Sequence, residues 1–265
     1  MRLKKFILLE KRSKQITQKE AIKLINSKCS DSVDAYFDDN IIYRGIKEVQ
    51  KSFLFVDPKD SKELRKSANT TNYYTLINDN SPAWKKYPKR SQSIICTTNK
   101  QTSLDYGQPY VVLPFDGAKI GVCPKKDYWF SFKKLNNKYI SNIWDLSDFN
   151  YILEKMFEKV GIPIDDKSFN SIKKAFKEFD KKYKQDPDLE YLLSHNTSVL
   201  NKDYLKTNDL MKYVQKILDP NENEFELKKI GDHLPENREV WTDSKSILIH
   251  ASIIDDIMMD VINEI

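Results

Sequence analysis

A lysine-rich tract that reads as helix, from Leu146 to about Leu218, divides this chain between two stretches of strand-like sequence. A sheet built from both stretches has to join residues far apart along the polypeptide. Before the tract, Asn69 to Phe132 reads as strands and loops, punctuated by Pro82, Pro88, Pro109, Pro114 and Pro124. Within it, Ser93-Ile94-Ile95-Cys96-Thr97-Thr98 and Tyr110-Val111-Val112-Leu113 carry the β-branched and apolar character of strands, and Asp116-Gly117 reads as a hairpin turn into Ala118-Lys119-Ile120-Gly121-Val122. After Pro235 the strand character returns in Glu239-Val240-Trp241-Thr242 and Ser246-Ile247-Leu248-Ile249.

The helices announce themselves by capping and periodicity. Thr17 stands three residues before Glu20, a capping-box spacing, ahead of the apolar face Ala21, Ile22, Leu24 and Ile25. Asp38-Asp39-Asn40 then breaks into Ile41-Ile42-Tyr43, a short strand expected to end at Arg44-Gly45. Inside the tract, Ser147 is the expected cap of a helix with Tyr151, Ile152, Met156, Phe157 and Val160 on its apolar side and Gly161 as its stop. A second helix is expected from Ser168 through Phe169, Ile172, Phe176 and Phe179, then a break at Asp186-Pro187-Asp188, then a helix opened by Thr207 or Asn208. The tail from Ile253 to Ile265 carries one apolar stripe opposite Asp and Glu, which suits a core helix better than a membrane surface.

Composition removes several classes of function. The chain has 265 residues, 40% hydrophobic and 31% charged, enough for a sizeable core and too apolar for wholesale disorder. With only 6 Gly it contains neither G-x-G-x-x-G nor G-x-x-x-x-G-K-[ST], so Rossmann and P-loop chemistry are not expected. The 3 Cys (Cys29, Cys96, Cys123) make no C-x-x-C pair and no disulfide framework, consistent with a reducing compartment. His195, His233 and His250 lack zinc-helix spacing, so no metal is expected. The apolar run Phe6-Ile7-Leu8-Leu9 is too short for a signal peptide, and no run approaches the roughly 18 residues of a membrane span, so a cytoplasmic location is expected. A formal net charge of +5 permits a polyanionic partner without requiring one.

Three short elements carry the chemistry. An arginine ends an apolar strand in Ile42-Tyr43-Arg44-Gly45; a hydroxyl-rich strand and its approach run from Arg90-Ser91-Gln92-Ser93 to Cys96-Thr97-Thr98; a glutamate opens a late strand in Asn237-Arg238-Glu239-Val240-Trp241. This order resembles the arginine, Ser-Thr-Ser and glutamate signature of the toxin-type mono-ADP-ribosyltransferases. As in that family, the hydroxyl strand is followed by a short helical segment, Thr102-Ser103-Leu104-Asp105-Tyr106, and by another strand, Tyr110-Val111-Val112-Leu113. The resemblance covers roughly residues 17–130 and 232–252. It implies an α+β protein with a split, mixed or antiparallel β core, N-terminal helices and a helical insertion at about 146–220, all within a single domain. It further implies NAD as substrate and transfer of ADP-ribose to a macromolecular acceptor, protein or nucleic acid, as in a toxin or a phage-borne host modifier.

Breaking the nicotinamide–ribose bond passes through an oxocarbenium-like state, which a carboxylate beside the ribose stabilises. By resemblance that catalytic carboxylate is Glu239. A guanidinium fork suits pyrophosphate oxygens, the role implied for Arg44. Hydroxyls of Ser91, Ser93, Thr97 and Thr98 are the implied ribose-fixing and cofactor-binding groups. The middle triplet departs from Ser-Thr-Ser, and Ser91-Gln92-Ser93 competes with it. Asn237 stands where the family often has Glu or Gln, which leaves arginine as acceptor open. A rival E-x-E lies at Glu222-Asn223-Glu224-Phe225-Glu226.

Taken singly, each residue has a plainer reading. Arg44 reads as a surface ion-pair partner, the hydroxyls as ordinary strand and turn residues, and Glu239 as a solvent-facing strand residue. Cys96 or Cys123 with a histidine would make a nucleophilic pair, but both read better as small buried hydrophobes. The loop Trp84, Lys85, Lys86, Tyr87, Lys89, Arg90 suits stacking on a base with a phosphate held beside it, a place beside the nicotinamide, or a plain surface loop with a buried Trp. The alternative to an enzyme is a non-catalytic, basic nucleic-acid-binding or interaction module built on Lys173, Lys174, Lys177, Lys181, Lys182 and Lys184.

Overall fold

The computed structural model describes residues 13–47, 51–60, 72–132, 146–163, 168–185 and 209–263. The chain forms two compact units: Met1–Ala68, Lys86–Lys126 and Glu226–Ile265 make one, and Asn69–Lys85 with Asp127–Phe225 make the other. The class is α+β with an antiparallel sheet.

Among its described residues the first unit is organised by nine strands: β1 (Ser13–Gln15), β2 (Tyr43–Ile46), β3 (Phe53–Val56), β4 (Ile94–Thr97), β5 (Gln108–Pro114), β6 (Lys119–Val122), β7 (Glu226–Lys229), β8 (Glu239–Thr242) and β9 (Ser246–His250). Their order in the sheet is β1-β3-β9-β5-β2-β4-β8-β6-β7, and every pairing is antiparallel. One face packs on α1 (Gln18–Lys28), α2 (Ser30–Phe37) and the C-terminal helix through Ile22, Ile25, Val111, Leu113, Ile247, Ile249, Ile257 and Val261. The other face buries Ile94, Cys96, Tyr110, Val112, Ile120, Val240 and Leu248. Burying such a side chain fully contributes about 1.5–3 kcal/mol. The Thr17 capping box forms as the spacing predicts, with Thr17 Oγ1 accepting from the Glu20 amide and the Glu20 carboxylate accepting from the Thr17 amide. The apolar stripe of the C-terminal helix (Ile254–Asn263) is buried at Ile254, Ile257, Met258 and Val261, while Ile262 is exposed; Ile265 lies outside the described residues.

Two expectations in this unit are corrected. The strand carrying Arg44 starts at Tyr43 and runs to Ile46, so Arg44 lies inside it, because the left-handed Asp39 (φ 54°) and the capped Asn40 delay its start. Asp116-Gly117 does turn, with Gly117 at φ 72°, but it makes no hairpin. Strand β5 pairs with β2 and β9, and β6 with β7 and β8. The turn is anchored to α2 instead: the Asp31 amide donates to Asp116 Oδ1, and the Gly117 amide donates to Asp31 Oδ2.

The second unit contains α3 (Tyr73–Asn80), α5 (Leu146–Lys159), α6 (Phe169–Gln185) and α7 (Leu210–Ile217); the short α4 (Lys100–Leu104) belongs to the first. Gly161, at φ 64°, ends α5 as expected. That helix begins at Leu146, one residue before Ser147, and Tyr151 is exposed, because Leu153, Met156 and Phe157 form the buried stripe. Ser168 caps α6 by accepting from the Ser171 amide. Helix α7 is capped by Asp209, whose carboxylate accepts from the Lys212 amide, and not by Thr207 or Asn208. The expected strand-and-loop stretch contains α3, because Tyr73, Tyr74, Leu76 and Ile77 are all buried. The expected break at Asp186-Pro187-Asp188, together with His195, Thr207 and Asn208, lies outside the described residues. No described helix is long and apolar enough to cross a membrane.

Gly121 on β6 faces Trp241 on β8, and a Cβ there would meet the indole at 2.3 Å. Gly121→Ala is expected to cost about 1–3 kcal/mol by forcing the indole off the sheet. Urea unfolding, with near-ultraviolet circular dichroism reporting on Trp241, checks this.

Candidate functional site

The three elements singled out in the sequence are consecutive neighbours in the sheet, β2, then β4, then β8. Thr97 stands opposite Tyr43 on β2 and opposite Glu239 on β8, so these three lie in one row on one face. Arg44, one residue along β2, starts from the other face, the side of Cys96, and its long side chain has to span the difference.

The sheet opens where it does so. The Thr98 amide donates to the Arg238 carbonyl, which sets the alternation along β4 and turns the peptide groups of Ile95 and Thr97 toward β2. Yet β2 and β4 share a single register pair, Tyr43 with Thr97. The Ile95 carbonyl is taken by Arg44, whose Nη1 donates to it at 2.9 Å. Beside this gap α4 packs against β2, and only a glycine fits there, since a Cβ on Gly45 would lie 2.0 Å from the Ser103 carbonyl oxygen.

The guanidinium is thus held inside the protein. Burial draws the Arg44 pKa below its ordinary value, with Arg90 acting in the same direction, while Cys96, Glu239 and Tyr106 oppose it. Arg44 Nε is buried and has no hydrogen-bond partner among the described residues. Cys96 lies on the opposite side of β4 from Thr97; burial pushes its thiol up to about 12, with Arg44 pulling it down and Glu239 pushing it up. Arg44 and Glu239 therefore act electrostatically on each other and on a common neighbour.

Glu239 is partly buried at the start of β8, where its carbonyl accepts from the Cys123 amide at 2.9 Å. Its carboxylate forms an ion pair with Arg90 Nη2; the two side chains are 14% and 8% exposed. The chain ahead of it is tied to β4. Thr98 Oγ1 donates to the Pro235 carbonyl at 2.8 Å and accepts from the Arg238 amide at 3.0 Å. Asn237, left-handed at φ 54°, bonds through its side-chain oxygen to the Asn99 side chain.

The hydroxyls predicted to fix a ribose divide by position. Thr97 Oγ1 accepts from the Asn99 amide and faces the Glu239 row, whereas both bonding roles of Thr98 are spent on the turn before Glu239. Ser93 Oγ donates to the Lys89 carbonyl, and Ser91 is buried in a 3-10 turn (Arg90–Gln92), so neither lies on β4. Of the two competing triplets, Cys96-Thr97-Thr98 is the one beside the glutamate strand. Of the rival acidic motif, Glu226 begins the edge strand β7, and Glu224 sits in a turn at φ 60°.

Arg90, which the sequence offered only as one member of a basic, aromatic loop, is the residue whose pairing with Glu239 sequence reasoning missed. The aromatic residues of that loop are packed: Trp84 is buried against Phe225, with its indole N–H donating to the Leu218 carbonyl, and Tyr87 stacks on Trp241. Base stacking on Trp84 is thereby excluded by burial. All three cysteines are buried and unbridged, and His250 Nδ1 bonds Ser252, not a cysteine. Among the described residues no three His, Cys, Asp or Glu side chains are grouped to hold a metal.

The two displaced thiols make a pH prediction. Burial raises Cys29 and Cys96 from 9.0 to about 12 in the fold, so the stability gained by keeping them neutral is complete below about 9 and is lost as pH climbs towards 12. The stability difference between wild type and a Cys29→Ala, Cys96→Ala variant is expected to shrink over that range in urea titrations. A constant difference would contradict it.

No protein-family model matches the chain, and neither a curated protein nor a solved structure matches it.

Proposed function

We propose that the protein is an NAD-dependent ADP-ribosyltransferase. The observation that carries this reading is that Arg44, Thr97 and Glu239 stand at neighbouring register positions on three adjacent strands, Thr97 directly opposite Glu239 and the Arg44 guanidinium within the field of the Glu239 carboxylate. It is the site, and not the fold class, that speaks for this function. Glu239 holds the 2′-hydroxyl of the nicotinamide riboside and stabilises the positive charge that grows as the C–N bond breaks. Arg44 offers its inward-facing guanidinium to the pyrophosphate, and the buried Nε supplies a donor in want of an acceptor. Thr97, in register with Glu239, is the hydroxyl assigned to the same ribose. The nicotinamide leaves with the bonding electrons, and a nucleophilic atom of a macromolecular acceptor, protein or nucleic acid, bonds the anomeric carbon and gives up its proton. The split core of the ADP-ribosyltransferase type is part of this proposal.

Glu239→Gln keeps the shape and removes the charge, and is expected to lower release of nicotinamide from NAD by on the order of 10²-fold or more. Arg44→Lys is expected to raise the KM for NAD chiefly, because a point charge replaces the fork. Nicotinamide release by chromatography, with labelled NAD and separate pools of protein, RNA and DNA, reads both the reaction and the acceptor. Wild-type turnover in Glu239→Gln would end the assignment.

A second reading has one observation in its favour. On α6, Lys173, Lys177 and Lys181 are exposed and spaced four residues apart, flanked by exposed Lys174 and Lys182, with Glu178 the one exposed acid among them. Like charges at that spacing oppose one another along a helix, which a polyanion would relieve. If this face binds nucleic acid, replacing Lys173, Lys177 and Lys181 by Glu abolishes a salt-steep affinity for RNA or DNA and leaves NAD turnover intact. Fluorescence anisotropy at two salt concentrations distinguishes the outcomes.

A further inference from the structure

We infer that Arg90 is a positioning residue for the Glu239 carboxylate, an inference that rests on the reading of Glu239 as the catalytic group. Arg90 lies on the 3-10 turn Arg90–Gln92 and is only 6% exposed. Its Nη2 pairs with Glu239 Oε1, and its guanidinium carbon lies 5.5 Å from the centroid of the Trp241 ring. Glu239 and Trp241 are two residues apart on β8 and share a face, so one guanidinium spans the pair along the strand.

Trp241 is itself immobilised. Its Nε1 donates to the Pro88 carbonyl at 2.9 Å, Tyr87 stacks on it, and Gly121 lets the indole lie against β6. The platform under Arg90 is therefore rigid, and the turn carrying Arg90 is tied to the platform by Pro88. A second, separate set of bonds fixes the backbone of the same residue. Thr98 and Asn99 grip Arg238, Pro235 and Asn237 immediately before Glu239. The carboxylate itself is paired with Arg90 Nη2. Backbone and side chain of one glutamate are thus held by independent partners, which is what a carboxylate aimed at one ribose carbon requires. Plain ion pairing would need neither the indole platform nor the left-handed turn.

The test compares Arg90→Gln, Arg90→Lys and Glu239→Gln in the full chain, with NAD as the probe and circular dichroism for folding. Arg90→Gln is expected to lower kcat for nicotinamide release at least about tenfold while changing the KM for NAD less than about threefold. Arg90→Lys, which keeps the charge but loses the fork and the stacking, is expected to recover part of kcat. Wild-type kcat in Arg90→Gln overturns the inference, as does loss of activity that only follows loss of folded protein in both variants. If Glu239→Gln is inactive while Arg90→Gln is not, this inference alone fails. If wild type does not release nicotinamide, the reading of the site fails and takes this inference with it.

Discussion

One half-buried carboxylate and two guanidinium groups, one buried and one half-buried, lie against a single sheet, and the arrangement around them follows from the cost of keeping them there. Removing an ion from water costs on the order of several kcal/mol even after relaxation, so each charge needs a fixed partner. Glu239 has Arg90; Arg44 has the Ile95 carbonyl and the field of Glu239. Those partners demand particular backbone: a sheet that opens after the single Tyr43–Thr97 pair, a glycine at 45 so that α4 can close on the gap, and a glycine at 121 so that an indole can lie under Arg90.

Local order was legible where one residue type forces one conformation. The Thr17 capping box, the left-handed stop at Gly161 and the buried runs of β4, β5, β8 and β9 follow directly from side-chain chemistry. What escaped was decided by pairing at a distance. Asp116-Gly117 has the composition of a hairpin turn, but hairpins also need their two strands to be neighbours, and β9 and β8 outcompete that pairing. Strand β3 (Phe-Leu-Phe-Val) lacks alternation because both its faces are covered, Phe53 and Phe55 packing in one core cluster and Leu54 and Val56 in the other, and the polar β7 is an edge strand whose period-two signal is weak. Helix α3 is buried on nearly all sides, which erases the amphipathic stripe that marks helices at a surface.

The site shows the same division. Arg44, Thr97 and Glu239 were visible because a chemical order, not a spacing, singled them out. Arg90 was visible only as part of a basic, aromatic loop, since nothing in Lys89-Arg90-Ser91 separates a buried guanidinium from an ordinary basic turn. Only the register that sets Trp241 opposite Ile95 and Gly121 brings an indole beneath it. The hydroxyls were over-read for a similar reason: Ser93 and Thr98 bond to nearby backbone, the commonest fate of such side chains at strand ends.

Stability alone does not call for this cluster. Three apolar side chains of similar volume would occupy these positions without the desolvation cost, and exchanges of that kind leave other proteins equally stable or more so. What apolar packing cannot provide is a field already oriented before a charge appears in it. A carboxylate held at a set angle lowers the energy of a cation forming next to it, and a held guanidinium lowers that of an anion resting on it. Cleavage of a dinucleotide at its nicotinamide bond produces the first and carries the second, in its pyrophosphate. The chemistry proposed for the site is thus the chemistry that gives its buried charges a use, and the two glycines, the indole and the strained Asn237 turn are the means by which the sheet holds them still.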